Sequence, residues 1–140
     1  MQVLNTTKMR FLKIALITLL SSGLFAACSK DKTENPSESA IIGRWVGTYG
    51  FDDDNPTIYY SLNFKSGGVI EEISPSGQVK GTGTWEMSNN VLTAHYSWLP
   101  SNPTTFSIVA AFNASQGKLI GNWGYDDSAT DGGLWEMTRQ

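Results

Sequence analysis

From residue 41 to the C-terminus, apolar and polar positions alternate with a period of two, and turn-forming residues interrupt the pattern about every ten to fourteen residues. The alternation predicts strands over 41–49, 57–65, 68–73, 78–87, 91–98, 104–113, 118–125 and 133–139. Between them lie stretches such as Asp52-Asp53-Asp54-Asn55-Pro56, Ser74-Pro75-Ser76-Gly77 and Ser88-Asn89-Asn90, whose residues tolerate turn geometry or resist strand pairing. Faces separate cleanly. Ile58, Tyr60, Leu62 and Phe64 share one side of the second strand; Val79, Gly81, Gly83, Trp85 and Met87 oppose Lys80, Thr82, Thr84 and Glu86 in the fourth. Leu92, Ala94, Tyr96 and Trp98 continue the apolar face, followed by Phe106, Ile108, Ala110 and Phe112, then Leu119, Gly121, Trp123 and Tyr125. Eight short strands, each wet on one face, predict an all-β fold: an antiparallel up-and-down barrel, whose closure leaves no free edge.

The first forty residues have a different pattern. Lys8, Arg10 and Lys13 precede an apolar run over 14–27 and then Cys28. A basic start and a short apolar stretch ending in small residues is the order of a secretory signal, too short to span a bilayer comfortably; Met9 opens a more typical signal than Met1. Leu24-Phe25-Ala26-Ala27-Cys28 resembles a bacterial lipoprotein lipobox, with Phe25 where that family usually has Leu. The resemblance implies a signal peptide over 1–27, a diacylglycerol thioether on Cys28 and fatty acyl chains such as palmitate as the membrane anchor. The alternative is an ordinary thiol beside a conventional cleavage site. Residues 29–40 have no aliphatic side chain larger than Ala and no periodicity, so 28–40 reads as a lipidated cysteine and disordered tether. Lys30 and Asp31 after the cysteine resemble export signals of Bacteroidetes-type lipoproteins, and no Asp follows Cys28 directly. The expected location is the outer membrane, with either leaflet open.

The chain of 140 residues has room for one domain besides this leader. Its single cysteine excludes an internal disulfide. Net charge is -3, and without residues 1–27 it becomes -6, because three of the ten basic residues and none of the thirteen acids lie there. That balance argues against nucleic acid as a partner; no protein partner is specified.

Gly43-Arg44-Trp45 in the first strand resembles the Gly-x-Trp of lipocalin-like (calycin) barrels. In that family the Trp plugs one end of the barrel. Gly121-Asn122-Trp123 and Leu134-Trp135-Glu136-Met137 are similar to the later strands of small lipocalin-like lipoprotein domains. The resemblance covers 41–140 and implies a barrel that holds a small ligand; a C-terminal helix of lipocalins is missing.

The inward-facing positions are rich in rings. Trp45, Tyr49, Tyr60, Trp85, Tyr96, Trp98, Trp123 and Tyr125 are the candidate contacts for a small hydrophobic or aromatic ligand at an open mouth, since a barrel of eight strands is at the size where the interior is either filled or holds one small molecule. Gly47, Gly81, Gly83, Ala94, Ala110 and Gly121 either leave space among the rings or are covered by them. The competing reading is a filled, non-catalytic interaction module that contacts a protein or glycan through its loops. Closure brings the loop after the first strand beside the loop before the last, gathering Asp52, Asp53, Asp54, Asp126, Asp127 and Asp131 at one rim. Asp52, Asp53, Asp126, Asp127 and Asp131 are candidate calcium ligands, the alternative being a solvated rim. Asp127-Ser128-Ala129 resembles the short O-glycan acceptor of Bacteroidetes-type secreted proteins.

No arrangement points to catalysis. The lone histidine, His95, falls on the outer face, and no nucleophile triad, metal-ligand cluster or phosphate loop has usable spacing. Glu71, Glu72, Glu86 and Glu136 occupy strands, where carboxylates mostly face solvent. No enzyme activity and no cofactor is expected, calcium apart.

Overall fold

The computed structural model describes residues 36–99 and 103–140. The signal segment, Cys28 and the tether up to residue 35 lie outside the described residues. The barrel is closed, with strands in chain order: β1 (Gly43–Tyr49), β2 (Ile58–Lys65), β3 (Val69–Ile73), β4 (Val79–Ser88), β5 (Val91–Trp98), β6 (Thr105–Asn113), β7 (Lys118–Tyr125) and β8 (Gly133–Arg139). Every pair is antiparallel, and β8 returns to β1 with Trp45 opposite Arg139 and Tyr49 opposite Trp135. Each observed strand begins and ends within two residues of its expected span. The period-two pattern is that strong because only one face is buried, and a slip of one residue would expose the whole apolar set.

One element departs from expectation. Pro36–Ile41 forms a short helix, α1, where the sequence reads as the end of a tether and the start of a strand. Six residues are too few to show helical periodicity; tertiary contacts hold the segment. Ile41 is fully buried in the core and its carbonyl accepts the indole N–H of Trp45 at 2.7 Å. Arg139 donates to the carbonyls of Ala40 and Ile42, the latter at 2.8 Å.

Those contacts define a closed end. Trp45 is fully buried there and meets Phe112 edge-on at 6.0 Å, so it plugs this end of the barrel. Phe64 and Trp85 pack edge-on at 5.5 Å nearby, and the Trp85 indole donates to the Lys65 carbonyl. Leu62, Ile70, Leu92, Leu119 and Met137 fill the remaining space.

Three of the small residues solve a backbone problem rather than opening space. A Cβ on Gly47 would lie 1.9 Å from the Glu136 carbonyl oxygen, on Gly83 1.9 Å from that of His95, and on Gly121 1.8 Å from that of Val109. The neighbouring strand's backbone occupies that volume, which lets the sheet curl tightly.

Candidate functional site: an aromatic mouth with a buried carboxylate

At the opposite end, the starts of β2, β4 and β6 and the ends of β1, β3, β5 and β7 line a cavity of about 220 Å³. Of the candidate ligand contacts, Tyr49, Tyr60, Tyr96, Trp98, Trp123 and Tyr125 line it. Trp45 and Trp85 do not: they belong to the packed closed end, because their positions on β1 and β4 lie at the far ends of those strands from the mouth. Alternation says which face a ring takes but not how far along the barrel axis it lies.

The rings brace one another. Phe106 stacks on Tyr96 with centroids 5.2 Å apart and an interplanar angle of 26°, and tilts against Trp98 at 4.9 Å. Tyr49 meets Trp123 edge-on at 5.5 Å, and Phe51 completes the group at 5.4 Å from Trp123. Phe51 reaches the mouth because its loop is pinned: the Trp123 indole donates to the Gly50 carbonyl at 2.9 Å, and Gly50 N donates to the Leu134 carbonyl. Gly81 lets β5 and its rings approach, since a Cβ there would lie 2.8 Å from the Ser97 carbonyl oxygen and 3.2 Å from the rings of Tyr96 and Trp98.

The lumen contains a charge. Glu72 on β3 is only 6% exposed and lines the cavity. One of its oxygens accepts the Trp98 indole N–H at 2.7 Å; the other pairs with Lys80 Nζ at 2.6 Å. The general expectation that strand glutamates face water fails here. Ile70 is buried on β3, so its i+2 neighbour Glu72 must be inward; that alternation is the signal that identifies it. Alternation alone puts Lys80 on the outer face of β4. It reaches the mouth through a register shift: Glu72 pairs with Gly81 but Ile73 with Val79, leaving Lys80 as the additional residue. A bulge re-aims the side chain at such a position. Its ammonium sits 4.5 Å above the centre of the Trp98 ring, within range of a cation–π contact.

Beside Glu72, the hydroxyls of Tyr60 and Tyr96 meet at 2.8 Å. Burial pushes both phenols well above the usual tyrosine range, with the Tyr96 hydrogen bond acting against the rise at Tyr60. For Tyr96, the nearby Tyr60 and the Glu72 carboxylate add to the effect of burial. Both phenols are therefore neutral donors and acceptors at physiological pH.

The acidic rim is assembled as expected, with the two loops joined by the Asp52 N to Gly132 carbonyl bond at 2.9 Å. Its carboxylates do turn chemistry. Asp52 and Asp126 both hold φ of 50°, a conformation Asp tolerates better than most residues, and Asp131 accepts the Tyr125 N–H at 2.9 Å. Asp52, Asp53, Asp126, Asp127 and Asp131 do not converge: among the described residues, no group of three or more His, Cys, Asp or Glu side chains is placed to hold a metal ion. Ser128 lies in the same β7–β8 loop, half-buried.

On the outer face, His95 Nδ1 lies 2.8 Å from Ser107 Oγ. The Ser107 hydroxyl donates to the Asp126 carbonyl, which commits its proton to the backbone and leaves its lone pair for the imidazole N–H. Glu71, next to Glu72 but outward, pairs with Lys65, whose hydrogen bond is the main cause holding its carboxyl below the usual range.

Comparison with protein-family models, with curated proteins and with solved structures finds no match to this chain.

Proposed function

We propose that this protein is a lipid-anchored, lipocalin-like barrel of the bacterial outer membrane that binds one small, ring-containing ligand at its mouth. The observation that carries the reading is the cavity of about 220 Å³ walled by braced aromatic rings. It is somewhat larger than the ~150 Å³ apolar cavity that accepts a benzene, so it suits a molecule of one or two rings. Such sites combine apolar walls with a few polar groups that fix orientation; here those are Glu72, Lys80 and the Tyr60–Tyr96 pair. The anchor rests on the lipobox-like residues up to Cys28 and on the polar residues that follow it.

The pocket is tested by titrating small aromatic compounds into the full chain in detergent micelles and following tryptophan fluorescence, since Trp98 and Trp123 line the cavity. Saturable binding that weakens on Trp98→Leu, with the melting temperature retained, supports the pocket. Binding unaffected by that change, or none with any compound, supports the filled interaction module instead.

A further inference from the structure

We infer that the ligand carries a protonated amine, and that its ammonium takes the place now held by Lys80 Nζ between the Glu72 carboxylate and the face of Trp98. The inference rests on the ligand-binding reading above and narrows its chemical class to small aromatic amines.

The structure already shows an ammonium in that place. Lys80 Nζ is 2.6 Å from Glu72 Oε1 and 4.5 Å from the centre of the Trp98 ring. The two partners of this ion pair are not equally committed. The Glu72 side chain is 8% exposed and fixed on a barrel strand, whereas that of Lys80 is 42% exposed at a bulge. Lys80 can return its charge to water at little cost. Glu72 cannot, and a buried carboxylate without a positive partner is strongly unfavourable. Whatever displaces Lys80 must therefore bring a positive charge and N–H donors of its own. Aromatic faces around the carboxylate add attraction for a cation and stacking for its ring.

The surroundings select the same sign. An anionic ligand could pair with Lys80, but it would lie beside Glu72, at a mouth whose β1–β2 and β7–β8 loops carry Asp52, Asp53, Asp126 and Asp127. A rim of one sign raises the local concentration of the opposite sign. A neutral ligand leaves Lys80 in place across part of the opening.

The test uses three probes of the same shape with the full chain in detergent micelles: phenethylamine, phenethyl alcohol and hydrocinnamate, measured by calorimetry at neutral pH. Phenethylamine is expected to bind at least about tenfold more tightly than the alcohol, in line with a charge-assisted hydrogen bond plus a cation–π contact, and hydrocinnamate weakest. Glu72→Gln, which keeps an acceptor for the Trp98 indole, removes the preference for the amine over the alcohol. Lys80→Met strengthens amine binding several-fold, because the internal competitor is gone. Equal affinity for amine and alcohol, tightest binding of hydrocinnamate, or a Glu72→Gln effect of the same size on all three probes overturns the amine assignment while the ligand pocket stands. Binding of none of the three overturns the pocket reading and the amine assignment together.

Discussion

The hydroxyls of Tyr60 on β2 and Tyr96 on β5 meet at 2.8 Å inside the barrel, joining strands 36 residues apart in the chain. They are not adjacent in the sheet, so the bond spans the lumen. No buried side-chain nitrogen or oxygen among the described residues lacks a partner, and this pair contributes to that balance at the place where the core gives way to the cavity. Tyr96→Phe strands the buried Tyr60 hydroxyl and is expected to cost about 1–3 kcal/mol. Tyr60→Phe is expected to cost less, since Tyr96 retains Glu72 as a neighbour. Denaturant unfolding of both variants and the double variant checks the order; a double variant costing the sum of the two would mean the hydroxyls are not coupled.

The same pair makes the fold sensitive to alkali. Both phenols have raised values in the folded protein, mainly through burial, against an unfolded value of about 10. The folded state therefore holds protons that the unfolded chain releases. Stability from these groups is complete below pH ~10 and falls as pH rises further, by about 1.4 kcal/mol per pH unit for each phenol still protonated in the fold. Melting temperature measured from neutral pH upward should drop steeply beyond that point, and less steeply in the Tyr60→Phe, Tyr96→Phe double variant.

Gly83→Ala is expected to destabilise by about 2 kcal/mol or more, as overpacking against backbone does, because its Cβ would meet the His95 carbonyl and the Tyr96 Cα at 2.5 Å. Gly77 has open space around it and a φ of 84°, so Gly77→Ala brings backbone strain without overpacking and is the comparison that separates the two. Unfolding by urea measures both; a neutral Gly83→Ala would mean that β4 and β5 can separate without loss.

Much of this architecture is written in the alternation. A residue such as Leu92, buried between exposed Val91 and half-buried Thr93, announces its face from its neighbours alone, and eight such runs closed by turns leave few alternatives to a barrel. Depth along the axis is not encoded that way, so Trp85 and Trp98 look equivalent in sequence although one packs on Phe64 at the closed end and the other lines the mouth. Lys80 was illegible because a bulge breaks the period at that residue. Glu72 was legible from Ile70, but the usual preference of carboxylates for water outweighed the pattern. α1 depends on Ile41, Trp45 and Arg139, which are brought together only by the closed fold.

Trp45→Phe separates the plug from the site. It removes the donor to the buried Ile41 carbonyl and part of a core ring, with an expected loss of about 2–4 kcal/mol. Trp45 does not line the cavity, so ligand affinity of the folded protein should be unchanged. Calorimetric melting and a binding titration of the same sample check the two halves; a large loss of affinity would place the ligand deeper than the mouth.

Cys28→Ser is expected to release the protein from membranes into the soluble fraction, since it removes the thiol to which the proposed anchor is attached. Fractionation of cells expressing each form checks it, and unchanged membrane association would refute the anchor without touching the pocket.

Native mass spectrometry of the protein purified from its own cells tests the ligand reading most directly. The expected spectrum contains, besides the acylated chain, a species heavier by one small organic molecule, which is lost on gentle activation and absent from the Trp98→Leu variant. A spectrum of acylated polypeptide alone, from protein that also takes up none of the aromatic probes, would contradict a ligand-binding mouth.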